Sequence, residues 1–148
     1  MKRHTALLPL SREHHHALVL SRQLRQAEDA EQRAAAQDRL TSQWRELIVP
    51  HFADEERWIL PLLTGEEAGR LQSEHDAMRE LAASIVTSTN TPLAQDLHRL
   101  GSLLHDHIRW EERELFEAMQ DRDDRSALDE LLEPLMMIEE QRGPACKT

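Results

Sequence analysis

The sequence predicts an all-α fold, an up-down-up-down antiparallel four-helix bundle followed by a short C-terminal fifth helix. Three observations support this prediction. No segment alternates polar residues with the β-branched and aromatic side chains that strands favour. Ala, Leu, Glu, Gln and Arg predominate, and these are good helix formers. Turn-forming residues are confined to a few short segments, and short connections between long helices favour antiparallel neighbours.

Breaks in the helical pattern divide the chain into four long helices and one short helix. TGEEAG at 64–69 and TSTNTP at 87–92 are the clearest breaks, and the polar segment 28–33 is a weaker one. Pro50 removes one backbone hydrogen bond from the second helix, but the apolar pattern continues past it, which predicts one kinked helix. The predicted helices cover residues 11–28, 34–62, 67–87, 93–119 and 126–137.

Length and composition limit the class of protein. The 148 residues predict a single domain, with a core at about 10–120 and a short helix and tail at 121–148. The formal charge of −10 argues against binding to nucleic acid or to anionic membranes. We expect no signal peptide, and no apolar run is long enough to span a bilayer. The single cysteine, Cys146, excludes a disulfide framework and a cysteine-rich metal site, and a cytoplasmic location fits best.

Polar residues interrupt the apolar stripe of each long helix at one level. Steps of three and four residues along the second helix lead from leucines to His51 and then to Glu55. The same steps along the fourth helix lead to His107 and Glu111, and the stripe of the third helix contains His75. Beyond the two glutamates, the predicted stripes resume at Trp58 and Ala118.

The first helix contains three adjacent histidines, of which only one can face the core. Successive residues of a helix point about 100° apart. The stripe through His14 also contains Leu10 and Ala17, so His14 is the best inward candidate. His15 stays open as the second candidate, because a later start of this helix would rotate it.

The four candidate histidines are expected to lie at one height in the bundle. Two residues of an antiparallel hairpin lie at the same height when they are equally far from the connecting loop. The midpoints between His14 and His51, between His51 and His75, and between His75 and His107 fall in or beside the three breaks. The glutamates of the second and fourth helices then lie one turn away.

Burial of these groups points to bound metal. A carboxylate removed from water without a partner costs several kcal/mol, and the stripes carry no Arg or Lys at this level. Four imidazoles and two carboxylates form a nitrogen and oxygen site without thiolate, which favours iron or manganese over structural zinc. Six ligands are too many for one tetrahedral zinc but suit two metals bridged by the glutamates, with open positions for a small ligand.

Four segments taken together resemble the hemerythrin-like domains of the HHE cation-binding type. They are EHHHAL at 13–18, HFADEE at 51–56, EHDAM at 74–78 and HIRWEERELF at 107–116. The resemblance implies an up-down four-helix bundle around a non-haem di-iron centre with an oxo or hydroxo bridge. Carried over by position, it implies metal ligands at His14, His51, Glu55, His75, His107 and Glu111, with the two glutamates as bridges.

One position departs from the oxygen-carrying members of this family. These place a second histidine four residues after the ligand of the third helix, where this sequence has Arg79. The site would therefore contain one histidine fewer. Two alternatives stay open for the carboxylates: Glu112 in place of Glu111, and additional coordination by Glu56 or Glu112.

The ligand set and the resemblance predict a protein that binds or senses a small ligand such as dioxygen, nitric oxide or peroxide. The alternatives are a di-iron oxidoreductase acting on peroxide or nitric oxide, and an iron store or donor for repair of iron centres. Whether the protein is an enzyme stays open, and manganese or zinc are the alternative metals. The acidic surface can support docking of a protein partner, and a homodimer is an alternative.

Overall fold

The computed structural model describes residues 2–122 and 126–142, which form helices and contain no β-strand. The all-α prediction is therefore confirmed. A single 3₁₀ turn at Thr5–Leu7 precedes the first long helix. The helices are α1 (Leu8–Gln26), α2 (30–62), α3 (Gly65–Val86), α4 (94–122) and α5 (Ser126–Arg142). Cys146 lies outside the described residues.

Helix α2 begins at Ala30, four residues earlier than predicted. Asp29 and Gln32 explain the difference, because they form a capping box. The Asp29 carboxylate accepts a hydrogen bond from the Gln32 backbone N–H at 2.8 Å, and the Gln32 side chain accepts one from the Asp29 N–H at 3.1 Å. A second capping box, between Thr64 and Glu67, starts α3 two residues before its predicted start.

Helix α2 is continuous but not uniform. It consists of α-helix at Ala30–Gln43 and Val49–Asp54, π-helical turns at Trp44–Ile48 and Glu55–Ile59, and a final 3₁₀ turn at Leu60–Leu62. The first π-helical turn ends at Ile48, two residues before Pro50, and the helix passes through the proline as predicted. Helix α4 has the same construction, with α-helix at Ala94–Trp110 and Phe116–Arg122 around a π-helical turn at Glu111–Leu115.

The π-helical turns shift the apolar stripes by one residue. Each π-helical turn holds more residues than an α-helical turn, so the residues beyond it rotate around the helix axis. The next buried position after Glu55 on α2 is Ile59 and not Trp58, which is half-buried. On α4 the buried positions after Glu111 are Leu115, Phe116 and Met119, whereas the predicted Ala118 is half-buried. Our predictions for these two stripe positions were wrong.

Contacts between the long helices place α1 beside α4 and α2 beside α3. The Ser21 hydroxyl donates to the Gly101 carbonyl at 2.8 Å, and His98 contacts the Ala27 carbonyl at 2.8 Å. Later residues of α1 thus contact earlier residues of α4. Gln37 of α2 donates to the carbonyl of Ile85, near the end of α3, at 2.9 Å.

Two apolar clusters lie on either side of a polar layer in the middle of the helices. The first cluster includes Leu24, Leu40, Ile85, Leu97 and Leu100. The second includes Leu7, Ile59, Leu71, Phe116 and Leu128. No helix in the described part of the chain has the length and apolar character needed to cross a membrane.

Helix α5 is longer than the short helix that we predicted. It extends to Arg142, so residues 138–142 are helical in addition to the predicted 126–137. Leu128, Leu131 and Leu135 of α5 belong to the second apolar cluster, together with Leu7 of the N-terminal segment. The helix therefore packs on the end of the bundle that carries the N-terminus.

Candidate metal centre

The structure brings all six predicted ligands into the polar layer. Their residues are between 0% and 3% exposed, although all six are ionisable. Each of α1 to α4 contributes at least one of them. On α1 the buried histidine is His14, at 2% exposure, whereas His15 is exposed. Their role as metal ligands stays a prediction, but the geometry can be compared with what a metal requires.

The six residues form two groups that share one glutamate. The potential ligand atoms of His14, His51, Glu55 and Glu111 all lie within 4.8 Å of one another. Those of Glu55, His75 and His107 meet the same limit.

Glu55 faces both pairs of histidines. Its Oε2 atom lies 3.2 Å from His51 Nε2 and 3.4 Å from His14 Nε2. Its Oε1 atom lies 3.0 Å from His75 Nε2 and 4.0 Å from His107 Nε2. One carboxylate thus presents one oxygen to each pair.

Glu111 also lies between the two pairs. Its Oε1 atom is 3.3 Å from His14 Nε2 and 3.0 Å from His107 Nε2. The second π-helical turn of α2 begins at Glu55, and the π-helical turn of α4 begins at Glu111. Irregular turns of this kind are frequent at functional sites.

Several polar atoms of the centre lack a hydrogen-bond partner among the described residues. Burying such atoms without a partner is costly, and native proteins rarely do so. The atoms are His14 Nε2, His51 Nε2, His107 Nε2, Glu55 Oε2 and both carboxylate oxygens of Glu111. All belong to groups that bind transition metals, so the residues fit bound metal by both composition and position.

The second ring nitrogen of each histidine contacts a further carboxylate. The Nδ1 pairs are His14 with Glu112 at 2.8 Å, His51 with Glu13 at 2.8 Å, His75 with Glu56 at 2.7 Å, and His107 with Glu74 at 2.8 Å. Each carboxylate comes from a neighbouring helix, so the pairs connect all four helices in a closed ring. An Nδ1–H that donates to a carboxylate leaves Nε2 free for a metal and fixes the orientation of the ring.

Two of these outer carboxylates, Glu56 and Glu112, directly follow the two central glutamates in the sequence. Glu56 and Glu112 are hydrogen-bonded to histidines at the edge of the centre, and Glu111 rather than Glu112 lies inside it. Sequence reasoning missed Glu13 and Glu74 as members of the site. Their signal was available, because each immediately precedes a buried histidine in the sequence.

Each outer carboxylate also contacts an arginine. The pairs are Glu13 with Arg142, Glu56 with Arg79 at 2.7 Å, Glu74 with Arg70 at 2.8 Å, and Glu112 with Arg3 at 3.6 Å. Burial alone would raise the pKa of each of these carboxyl groups. Hydrogen bonds and charge from the histidine and the arginine outweigh burial and lower all four pKa values.

In the absence of metal, protons can occupy the centre. Burial alone would lower the pKa of His51, but the charge of Glu55 and a hydrogen bond to Glu13 raise it to about 9. Burial is likewise outweighed by the carboxylates at His14 and His107, whose pKa values lie well above the usual value. The centre therefore attracts cations, either as protons on imidazole or as metal ions.

Aromatic rings cover the centre on two sides. Phe52 stacks on His75 with ring centroids 3.8 Å apart, and Phe116 stacks on His14 at 5.8 Å. The side chain of Arg79 is 36% exposed and turns outward to Glu56. It therefore does not replace the missing histidine inside the centre.

Comparison with known proteins agrees with this geometry. Residues 7–119 match the family model for the hemerythrin HHE cation-binding domain. No curated protein and no solved structure matches the chain. The matched region contains the six central residues and the four outer carboxylates, and the chain belongs to the hemerythrin HHE cation-binding family.

Proposed function

We propose that this protein is a single-domain, up-down-up-down bundle that holds two iron ions and binds or senses a small ligand such as dioxygen, nitric oxide or peroxide. His14 and His51 would hold one ion, and His75 and His107 the other. Glu55 and the second central glutamate would bridge them.

The observation that carries this proposal is the position of Glu55. Its two oxygens face different pairs of histidines, as the carboxylate bridge of a two-metal site must. A centre for a single ion would leave one of the two pairs without a cation. The convergence of four Nε2 atoms on two buried carboxylates supports the same reading.

The donor set suits iron or manganese, and membership of the hemerythrin family favours iron. Imidazole nitrogens and carboxylate oxygens without thiolate suit iron or manganese, and two histidines with two bridging carboxylates leave coordination positions open on each ion. Bound iron supplies a redox-active metal with an open position for a small ligand. The protein holds the imidazoles through the outer carboxylates, and its aromatic rings limit access of water. The deep burial of the centre favours a ligand of a few atoms.

Metal analysis of protein grown and purified aerobically in iron-containing medium tests the proposal. We expect two irons per chain and near-ultraviolet absorption from an oxo bridge, with bands that change on addition of azide or nitric oxide. A single zinc per chain, without these bands, would contradict it. His98→Ala is a suitable control, because His98 is half-buried near the start of α4, away from the centre, and contacts the Ala27 carbonyl.

A further inference from the structure

The arginines around the centre come from two different parts of the chain. The outer carboxylates of His75 and His107 contact Arg79 and Arg70, both on α3. The outer carboxylates of His14 and His51 instead contact Arg3 of the N-terminal segment and Arg142 at the end of α5. Both of these arginines lie outside residues 7–119, the region that matches the family model.

The N-terminal segment and α5 are joined to each other. His4 Nε2 lies 2.8 Å from a carboxylate oxygen of Asp129, and Leu7 packs in one cluster with Leu128 and Leu131. We call the N-terminal segment 2–7 together with α5 the terminal collar. The collar therefore reaches one half of the centre as a single packed unit.

Arg142 makes the closest connection between the collar and the centre. Its guanidinium donates to the carboxylates of Glu13 and Asp54 and, at 3.2 Å, to the Pro50 carbonyl. The side chain of Glu13 is 4% exposed and also accepts the Nδ1–H hydrogen bond of His51. Arg142 is thus connected to the imidazole of His51 through a single carboxylate, that of Glu13.

We propose that the terminal collar, acting through Arg142, selectively retains the metal ion held by His14 and His51. Arg142 is a positioning residue, since it touches no central ligand and acts through Glu13. Without its guanidinium, the Glu13 carboxylate is buried with less compensating charge and turns towards water, which removes the hydrogen bond that orients His51. His75 and His107 keep their own arginines, so the second ion is unaffected.

This inference rests on the proposed two-iron centre and is tested by release of iron. Wild-type protein and Arg142→Gln are loaded anaerobically with ferrous iron, and release to a chromogenic ferrous chelator is followed over time. For the variant we expect iron release in two phases of equal amplitude, the faster of which is accelerated roughly 10-fold or more relative to wild-type release. Loss of a hydrogen-bond partner of a metal ligand changes metal affinity on this scale. The slower phase should keep the wild-type rate.

Arg12→Gln is the matched control. Arg12 joins α1 to α5 through Glu139 at 2.7 Å, but it contacts no outer carboxylate. We expect wild-type release from this variant. Equal acceleration in both variants, or acceleration of both phases in Arg142→Gln, would indicate general loosening of α5 and overturn the inference, as would wild-type release from Arg142→Gln.

A double-mutant cycle with Glu13→Gln separates positioning from packing. If Arg142 acts through the Glu13 carboxylate, Arg142→Gln adds no further acceleration in the Glu13→Gln background. Additional acceleration there would overturn the inference.

The iron content of the wild-type protein is measured separately. One iron per chain contradicts the two-iron proposal, but the release rates of Arg142→Gln and Arg12→Gln can still be compared. The absence of bound iron overturns both the two-iron proposal and the inference about Arg142.

Discussion

His107 Nδ1 lies 2.8 Å from Glu74 Oε1, a carboxylate oxygen of the neighbouring helix α3. The same relationship occurs at the other three central histidines, and the four pairs form a ring around the bundle. A ring of this kind fixes each imidazole before metal arrives. The outer carboxylates should therefore contribute to metal affinity although they are not ligands.

The first prediction concerns Glu74→Gln. The amide is a weaker acceptor than the carboxylate for the Nδ1–H of His107, so the imidazole becomes less basic and less well oriented. We expect metal affinity to fall roughly 10- to 100-fold, measured by competition with a chelator of known affinity. Glu80→Gln is the control, since Glu80 is an exposed glutamate of the same helix. Equal affinities of the two variants would contradict the prediction.

The second prediction distinguishes the adjacent histidines of α1. His14 is 2% exposed, and its Nε2 atom points at the two central glutamates, whereas His15 is exposed. We expect His14→Ala to lose at least one of the two irons and His15→Ala to retain both. Elemental analysis of the purified variants provides the measurement. Loss of iron from His15→Ala alone would mean that α1 is rotated from the position described above.

The third prediction is a pH dependence of the metal-free protein. The pKa of His51 is raised from 6.5 to about 9, so its protonated form stabilises the fold. This stabilisation is fully present below pH 6.5 and is lost as the pH rises through about 9. The raised pKa values of His14 and His107 act in the same direction. The thermal unfolding midpoint of chelator-treated protein should therefore decrease as the pH rises from 6.5 to about 9.

Metal binding should show the opposite trend over the same interval. Coordination requires deprotonated imidazoles, so metal displaces protons and its affinity increases with pH. Calorimetric titrations in buffers of different ionisation enthalpy measure the number of protons released. Two outcomes would contradict the assignment of protons to the centre. One is a thermal midpoint of the metal-free protein that stays constant or rises with pH, and the other is metal binding without proton release.

The sequence predicted the central layer better than its surroundings, for physical reasons. Apolar stripes of period 3.6 selected His14, and the loop midpoints placed it level with the other three histidines. The stripe failed beyond Glu55 and Glu111, because a π-helical turn changes the register without a composition signal of its own. Arg142 and Glu13 are separated by 129 positions, and their contact depends on how α5 packs, which no local pattern encodes.

The last prediction concerns the close contact of α1 with α4 at Gly101. A Cβ atom at this position would lie 2.7 Å from the Ser21 carbonyl oxygen and 2.7 Å from Arg25 Cγ, and the backbone oxygen cannot move without displacing α1. We expect Gly101→Ala to lower the free energy of unfolding by about 1–3 kcal/mol, as overpacking does. Gly69→Ala is the control, because among the described residues no atom beyond the local backbone of α3 lies within 4 Å of its Cβ position. At this exposed helical site alanine should raise the free energy of unfolding by about 0.5–1 kcal/mol. Urea denaturation measures both values, and stabilisation by Gly101→Ala would show that the two helices can separate at little cost.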